Sequence, residues 1–559
     1  LTRRADAGVA FTYPALRRAP MCHHAPVLRR ALLAVTVVLG FALAGLLAPA
    51  RLGWLSAAPA AADVLSASVA TTPSGPLMPE GFVGVSFEVR AVHQYTGNNP
   101  LAIDPVLLNL LKGLAPDQQP IIRIGGNSTD DSWWPLKGMI PTGGIYYPIT
   151  TGWLRTTKAL AADLDAKLIL GVNLAAGRPA IAAAEGRAYI SGIGAKYIDA
   201  LEIGNEPNLY PVFSWYKDRN GHVYRSRPRS YNLPDYIQQF KQWAKVLPNV
   251  PLAGPAASNP KWMEKLSSFV TAAPRLRLVT YHRYPLRACT TDPNDPSFPS
   301  IPNLLEDSSS AGLAAGVKSF VTVAGKHDLP LRIAETNSAS CEGAKGVSDT
   351  FASALWALDT MFNFAKVGVQ GVNFHMLPGS NYELFTPSQT ASGAWQAFVH
   401  PEYYGLALFA QAFPPGAQLL NIKAPAGPTK VWATKAADGT IRVVVINQDA
   451  ANEHDVAVTV PGQTTPGAIV SMTAPSIDAT SGVAIGGQTF GAETSTGTLP
   501  GPAVETTATP AAGVYTIPAP AASAEMLTIP PVSATAPTTT TTSTTSTSTS
   551  TTPAPAPAP

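Results

Sequence analysis

Between Gly81 and Pro378 the chain repeats one alternation eight times: a short apolar run, then a stretch with helical spacing. The runs are Phe82–Val89, Ile121–Gly125, Lys167–Asn173, Ala200–Asn205, Leu252–Gly254, Leu276–Tyr284, Leu331–Glu335 and Gly371–His375. Several intervening segments, such as Leu233–Val246 and Ser348–Lys366, carry apolar residues at i, i+3 and i+4, the period of a helix with one buried face. Strands separated by helices must pair in parallel, and eight such units close on themselves. The alternative is an open doubly wound sheet. Its Gly-x-Gly-x-x-Gly turn is missing after the first run.

Downstream the texture changes. Thr429–Lys435 and Thr440–Asn447 flank an Asp-Gly turn, and Asp455–Val460, Ala468–Ala474, Gly482–Phe490, Gly513–Ile517 and Ala524–Thr528 follow between Gly, Pro and Thr turns. Many short strands at this spacing read as a sandwich. The fold class is therefore α/β: a (β/α)8 TIM barrel over 81–398, followed by a C-terminal all-β sandwich over 399–532 that opens with a helix. Residues 63–80 contain one strand-like stretch, expected to join the sandwich.

The two ends read differently. From Met21 a basic stretch, the apolar run Ala31–Ala50 and an Ala-x-Ala site at Ala58–Ala60 make residues 1–62 a signal-peptide region, with cleavage near Ala60 or Ala62. An uncleaved membrane anchor is the alternative, because the apolar run is long enough to span a bilayer. Both imply export to the cell surface, the wall or the medium. Residues 533–559 are Thr, Ser, Pro and Ala with one Val preceding them, which cannot build a core and read as a disordered stalk.

Charge excludes some functions. Residues 1–62 hold seven of the 39 basic residues and one of the 36 acidic ones, leaving 32 against 35 in the remainder. A nearly neutral body lacks the basic footprint of a nucleic-acid binder. The three cysteines are too few for a disulfide scaffold or a cysteine zinc site, and the histidines show no metal-ligand spacing. Neither a metal nor a cofactor is expected.

Barrel enzymes place their chemistry at the C-terminal strand ends. Those ends here are Glu88, Gly126-Asn127, Asn173, Asn205-Glu206, Tyr281-His282-Arg283-Tyr284, Glu335 and His375. Glu206 and Glu335 close the fourth and seventh runs, so two carboxylates face one mouth. Cleaving a glycosidic bond needs such a pair, one protonated to help the leaving oxygen depart and one ionised to attack the anomeric carbon.

The surrounding words are Ile-Arg-Ile-Gly-Gly-Asn-Ser (122–128), Glu-Ile-Gly-Asn-Glu-Pro-Asn (202–208), Val-Thr-Tyr-His-Arg-Tyr (279–284), Leu-Arg-Ile-Ala-Glu-Thr-Asn-Ser (331–338) and Asn-Phe-His (373–375). In this order the set resembles glycoside hydrolase family 79, the β-glucuronidase and heparanase family of the retaining (β/α)8 clan. The resemblance implies Glu206 as general acid/base and Glu335 as nucleophile. It implies Tyr284 as the tyrosine that orients the nucleophile and Asn205 as the contact to the sugar 2-hydroxyl. Glu88 and Asn127 line the same subsite. The family reads the uronate through main-chain N–H groups and a tyrosine of the loop after strand eight, here His375 to Tyr382, although Met376-Leu377 departs from its Gly-rich start. The implied partner is a carbohydrate with a terminal β-linked uronic acid. Another terminal sugar, an endo-acting glycosaminoglycan hydrolase and a non-catalytic carbohydrate binder remain alternatives. Cys289 and Cys341 follow the sixth and seventh runs, whose loops rise from one face, so a disulfide between them is expected in an exported chain.

Overall fold

The structure, a computed structural model, describes residues 64–141 and 143–532. The segments expected as a signal peptide, 1–62, and as a disordered tail, 533–559, lie outside the described residues. Eight strands form a closed barrel: β1 Val83–Glu88, β2 Ile121–Gly125, β3 Lys167–Val172, β4 Ile198–Ile203, β5 Leu252–Ala257, β6 Leu276–His282, β7 Leu331–Thr336 and β8 Val372–Met376. Each pairs in parallel with its neighbour in sequence, and β8 returns to β1 from Val372 beside Val83 to Met376 beside Phe87. Every residue of β1, β5, β7 and β8 is buried. Strands covered on both faces lose the in–out alternation of a half-exposed sheet, which is why they appear as unbroken apolar runs.

The helices around the barrel begin where local chemistry starts them. Asp104 accepts the Val106 N–H at 2.8 Å, with Pro105 in the first turn of Pro105–Leu114. Asn232 and Asp235 form a reciprocal capping box ahead of Leu233–Val246. After β6 the helical stretch is broken at Gly316 into Ala311–Ala315 and Lys318–Gly325.

The boundary expected at residue 398 needs correction. Pro401–Ala412 is buried along almost its whole length and packs against Phe351–Lys366 and Pro105–Leu114, so it completes the ring of helices and belongs to the barrel. It also touches the following sheet, which explains why its sequence lacks a polar face.

Ten strands make the C-terminal sheet. Val64–Ser74 enters it, antiparallel to Gln418–Lys423 and parallel to His454–Thr459. The sheet folds over a core that includes Val69, Val443, Val458, Tyr515, Ile517 and Leu527. The strand expected over Gly482–Phe490 is only Ala484–Ile485, because Gly486 and Gly487 follow with φ of 54° and 73° and turn the chain. Trp432 fastens the sheet to the barrel. Its ring stacks on Phe362 at 5.2 Å and its indole N–H donates to Asp359 at 2.8 Å.

Candidate active site

The C-terminal mouth of the barrel gathers acids and bases around one buried guanidinium. Arg123, mid-strand in β2, is fully buried. Its Nε donates to Glu202 at 2.7 Å, Nη1 to Glu335 at 2.8 Å and to Ser86 at 3.0 Å, and Nη2 to Asn205 at 2.8 Å. Four strands are thereby tied to one side chain. Burial disfavours its charge, but Glu202 and Glu335 more than offset this and keep it a cation.

Glu335 ends β7 with one oxygen on Arg123 and the other accepting the Tyr284 hydroxyl at 3.0 Å. His375 Nδ1 lies 3.5 Å and His282 Nδ1 3.8 Å from its Oε2. Burial alone would raise its carboxyl. The His375 and His282 rings, Arg123 and the Tyr284 hydroxyl overcome that and hold it well below the usual carboxylate range. This carboxylate stays ionised. Tyr284 is pushed the opposite way, by burial and by the Glu335 charge, and remains a donor.

Glu206 follows β4 in the left-handed region, with φ 45° and ψ 53°. Such a conformation costs a non-glycine residue about 1–2 kcal/mol and needs bracing. Its N–H donates to Ala256 at 2.9 Å, and its carbonyl accepts Leu209 N–H at 2.8 Å. His282 Nδ1 sits 3.0 Å from Glu206 Oε1, and a ligand atom from each of Glu206, His282 and Glu335 lies within 4.8 Å of the others. That spacing would also suit a metal ion. At Glu335, however, both oxygens already take donors, Arg123 and Tyr284, and the guanidinium would repel a cation.

Asn205 is fixed by its neighbours. Its Oδ1 accepts from Arg123 and its Nδ2 donates to Asn127 Oδ1 at 3.1 Å. Behind it, buried Asp130 accepts the Tyr210 hydroxyl at 2.7 Å and the N–H groups of Leu174 and Ala175 at 3.2 Å. Burial pushes the Asp130 carboxyl up to about 6. Gly204, at φ 78°, leaves room for this arrangement: a Cβ there would stand 2.7 Å from the Tyr210 oxygen. Glu88 ends β1 and accepts N–H groups from Asn127 at 3.0 Å and Ser128 at 2.7 Å, plus the Ser128 hydroxyl. His375 Nε2 lies 3.7 Å from Glu88. The His375 ring meets Tyr382 edge-on at 5.8 Å.

The structure therefore brings Glu88, Asn127, Asn205, Glu206, Tyr284, Glu335, His375 and Tyr382 to one mouth. Two residues of this mouth escape a reading by strand ends: Arg123 and Glu202. Arg123 and Glu202 lie inside apolar runs, and charges in such runs, unexplained by an exposed face, were the available signal. The main-chain donors expected from the loop after β8 are largely engaged. Gly379 N–H donates to Glu383 at 3.3 Å, Ser380 N–H to Leu377 at 3.0 Å and Asn381 N–H to Glu342 at 2.9 Å. Arg227 turns inward onto the carbonyls of Leu174 and Ala175.

Cys289 and Cys341 form a disulfide, with Cα atoms 5.8 Å apart, closing a separation of 52 residues. Loop-closure entropy for that length corresponds to about 4 kcal/mol. The Cys289→Ala/Cys341→Ala variant is expected to unfold at lower denaturant by that free energy, and an unchanged midpoint would refute the assignment of stability to the link.

A closed parallel barrel, a carboxylate pair at its C-terminal mouth and an appended β domain make up the architecture of the barrel glycoside hydrolases. Residues 431–526 match the glycosyl hydrolase family 79 C-terminal beta domain. A β-glucuronidase of Neurospora crassa is 24% identical over 375 residues, which cover 60% of this chain and 63% of that protein. A β-glucuronidase of Aspergillus niger is 25% identical over 419 residues, 68% of this chain and 74% of that one. The chain thus spans less than two thirds of the Neurospora relative. Among solved structures, a 4-O-α-L-rhamnosyl-β-D-glucuronidase of Fusarium oxysporum superposes with a TM-score of 0.63 at 20% identity, over 83% of this chain and 100% of that one. The comparisons thus support a likeness to glycoside hydrolase family 79, through its C-terminal domain and through β-glucuronidases at about 25% identity.

Proposed function

We propose that this protein is a retaining exo-β-glycosidase that hydrolyses terminal β-D-glucuronides. The observation that carries the mechanism is the separation of the two carboxylates, whose nearest oxygens lie within 4.8 Å. Retaining enzymes hold the pair about 5–5.5 Å apart, whereas inverting ones leave about 6.5–9.5 Å for a water. Glu335, ionised and oriented by Arg123 and Tyr284, attacks C1. Glu206 protonates the departing oxygen. The glycosyl ester on Glu335 is then hydrolysed by a water that Glu206 deprotonates, which returns both groups to their starting states. His282 Nδ1, 3.0 Å from Glu206 Oε1, helps to fix the orientation of that carboxyl.

The sugar assignment rests on Tyr382 beside His375 and on the names of the two relatives, both β-glucuronidases. The engaged N–H groups at 379–381 favour a second reading, the same machinery acting on a neutral terminal sugar. The purified body, tested on matched chromogenic β-glucuronide, β-glucoside and β-xyloside, separates the two. Preference for the glucuronide supports the first, and turnover of the neutral sugars alone replaces it with the second. The disulfide supports an oxidising location and hence export.

Glu206→Ala is expected to slow turnover of an activated aryl glucuronide by about 10²–10⁴-fold. Its KM should fall as well, because the ester on Glu335 accumulates. Azide, which needs no general base, should restore rate and yield the β-glucuronosyl azide. An unchanged KM with no azide effect would remove Glu206 from this role.

A further inference from the structure

From Pro378 to Tyr382, hydrogen bonds to other segments of the described chain run to residues 337–343, the segment that follows Glu335. Asn337 is buried two residues past Glu335. Its Nδ2 donates to the carbonyls of both His375 and Tyr382 at 3.1 Å, so one amide pins the loop at each end. Its Oδ1 accepts the Ser338 N–H at 2.6 Å, which fixes the amide's orientation. Asn381 makes the second attachment. Its N–H donates to Glu342 at 2.9 Å and its Nδ2 to Gly343 at 3.1 Å.

The receiving segment is unusual. Cys341, Glu342 and Gly343 stand in succession at φ 61°, 68° and 72°. Two of them are not glycine, and such a run persists only where its surroundings hold it. The disulfide anchors it at Cys341. The turn aims the carbonyls of Glu342 and Gly343 at Asn381, and a Cβ on Gly343 would stand 3.0 Å from the Tyr382 ring and main chain. Behind Asn337, Glu402 is buried, and burial pushes its carboxyl well above the usual range.

We infer that Asn337 and Asn381 are positioning residues that set the grip on the substrate's C6 group by docking the Tyr382 loop onto the strand that carries the nucleophile. This rests on the reading of Tyr382 as a contact to the uronate. Neither asparagine touches the reacting atoms. Their loss therefore loosens Tyr382 without disturbing Glu335 or Glu206, and the cost appears in binding rather than in the chemical step.

The test is steady-state kinetics of the intact body on an aryl β-glucuronide, with product inhibition by free glucuronate. Asn337→Ala should raise KM and the glucuronate inhibition constant together by about tenfold or more, with kcat within about threefold of the parent. Asn381→Ala, at a more exposed position with its main-chain bond retained, should move both in the same direction by about threefold to fivefold and keeps the test available if Asn337→Ala fails to fold. A mere loss of stability would lower kcat with the active fraction and leave KM unchanged, and that result in Asn381→Ala overturns the inference. So does a KM that does not move. A parent protein with no turnover of the glucuronide, but turnover of the glucoside, overturns the uronate reading itself and the inference with it.

Discussion

Glu335→Ala should reduce turnover of an activated aryl β-glucuronide by at least about 10⁴-fold, because the variant lacks the ionised carboxylate that forms the glycosyl ester in the proposed mechanism. Glu206 is nearby, but in the proposed mechanism its carboxylate serves the leaving oxygen, and His282 Nδ1 lies 3.0 Å from it. The fold should survive, since Arg123 keeps its bond to Glu202. With azide the variant should release the α-glucuronosyl azide, of opposite configuration to the Glu206→Ala product, because azide then attacks from the vacated nucleophile's face. A variant with substantial unassisted activity would remove Glu335 from the mechanism. Acid should affect the parent in a related way. Glu335 titrates below its unfolded value, so its ionised form contributes stability at any pH above the ordinary carboxylate range. That contribution is lost only as pH falls through the depressed native value. The acidic limb of kcat/KM, where it reports Glu335, should lie correspondingly low.

How far the sequence carries this picture depends on the element. The barrel strands are legible because parallel strands buried on both faces must be apolar throughout. All eight expected runs overlap observed strands. Pro401–Ala412 was misassigned for the same physical reason in reverse. A helix packed between two helices and a sheet has no polar face, and nothing in its composition says which domain it closes. Gln418–Lys423, Thr506–Ala508 and the hairpin Phe385–Gln389 with Trp395–Val399 went unread because short strands interspersed with polar residues carry little periodic signal. At the mouth, Glu206 and Glu335 stand out as acids that end strands. Arg123 does not, because its role is set by four partners 37, 79, 82 and 212 positions away along the chain. No local pattern encodes that convergence.

Arg123→Met should therefore have two separable consequences. The first is stability. The substitution leaves Glu202, fully buried with Oε1 unpartnered among the described residues, without the Arg123 cation it pairs with, and the cost of stranding one member of a buried ion pair is about 3–5 kcal/mol. Denaturant unfolding would register it directly. The second is electrostatic. Glu335 loses the charge 2.8 Å from Oε2, so its carboxyl must rise, and the acidic limb of kcat/KM should move to higher pH. A compensating change distinguishes the two. Arg123→Met with Glu202→Leu removes both buried charges and fills the space with apolar atoms, which should return most of the lost stability. The displaced acidic limb should remain, because Glu335 is still without its guanidinium. Asn205, released from Nη2, should also lose its fixed orientation and raise the barrier to glycosylation. If the double variant recovered stability and the parental pH profile together, Arg123 would be a scaffold for Glu202 alone. The low native pKa of Glu335 would then have to come from His375, His282 and Tyr284.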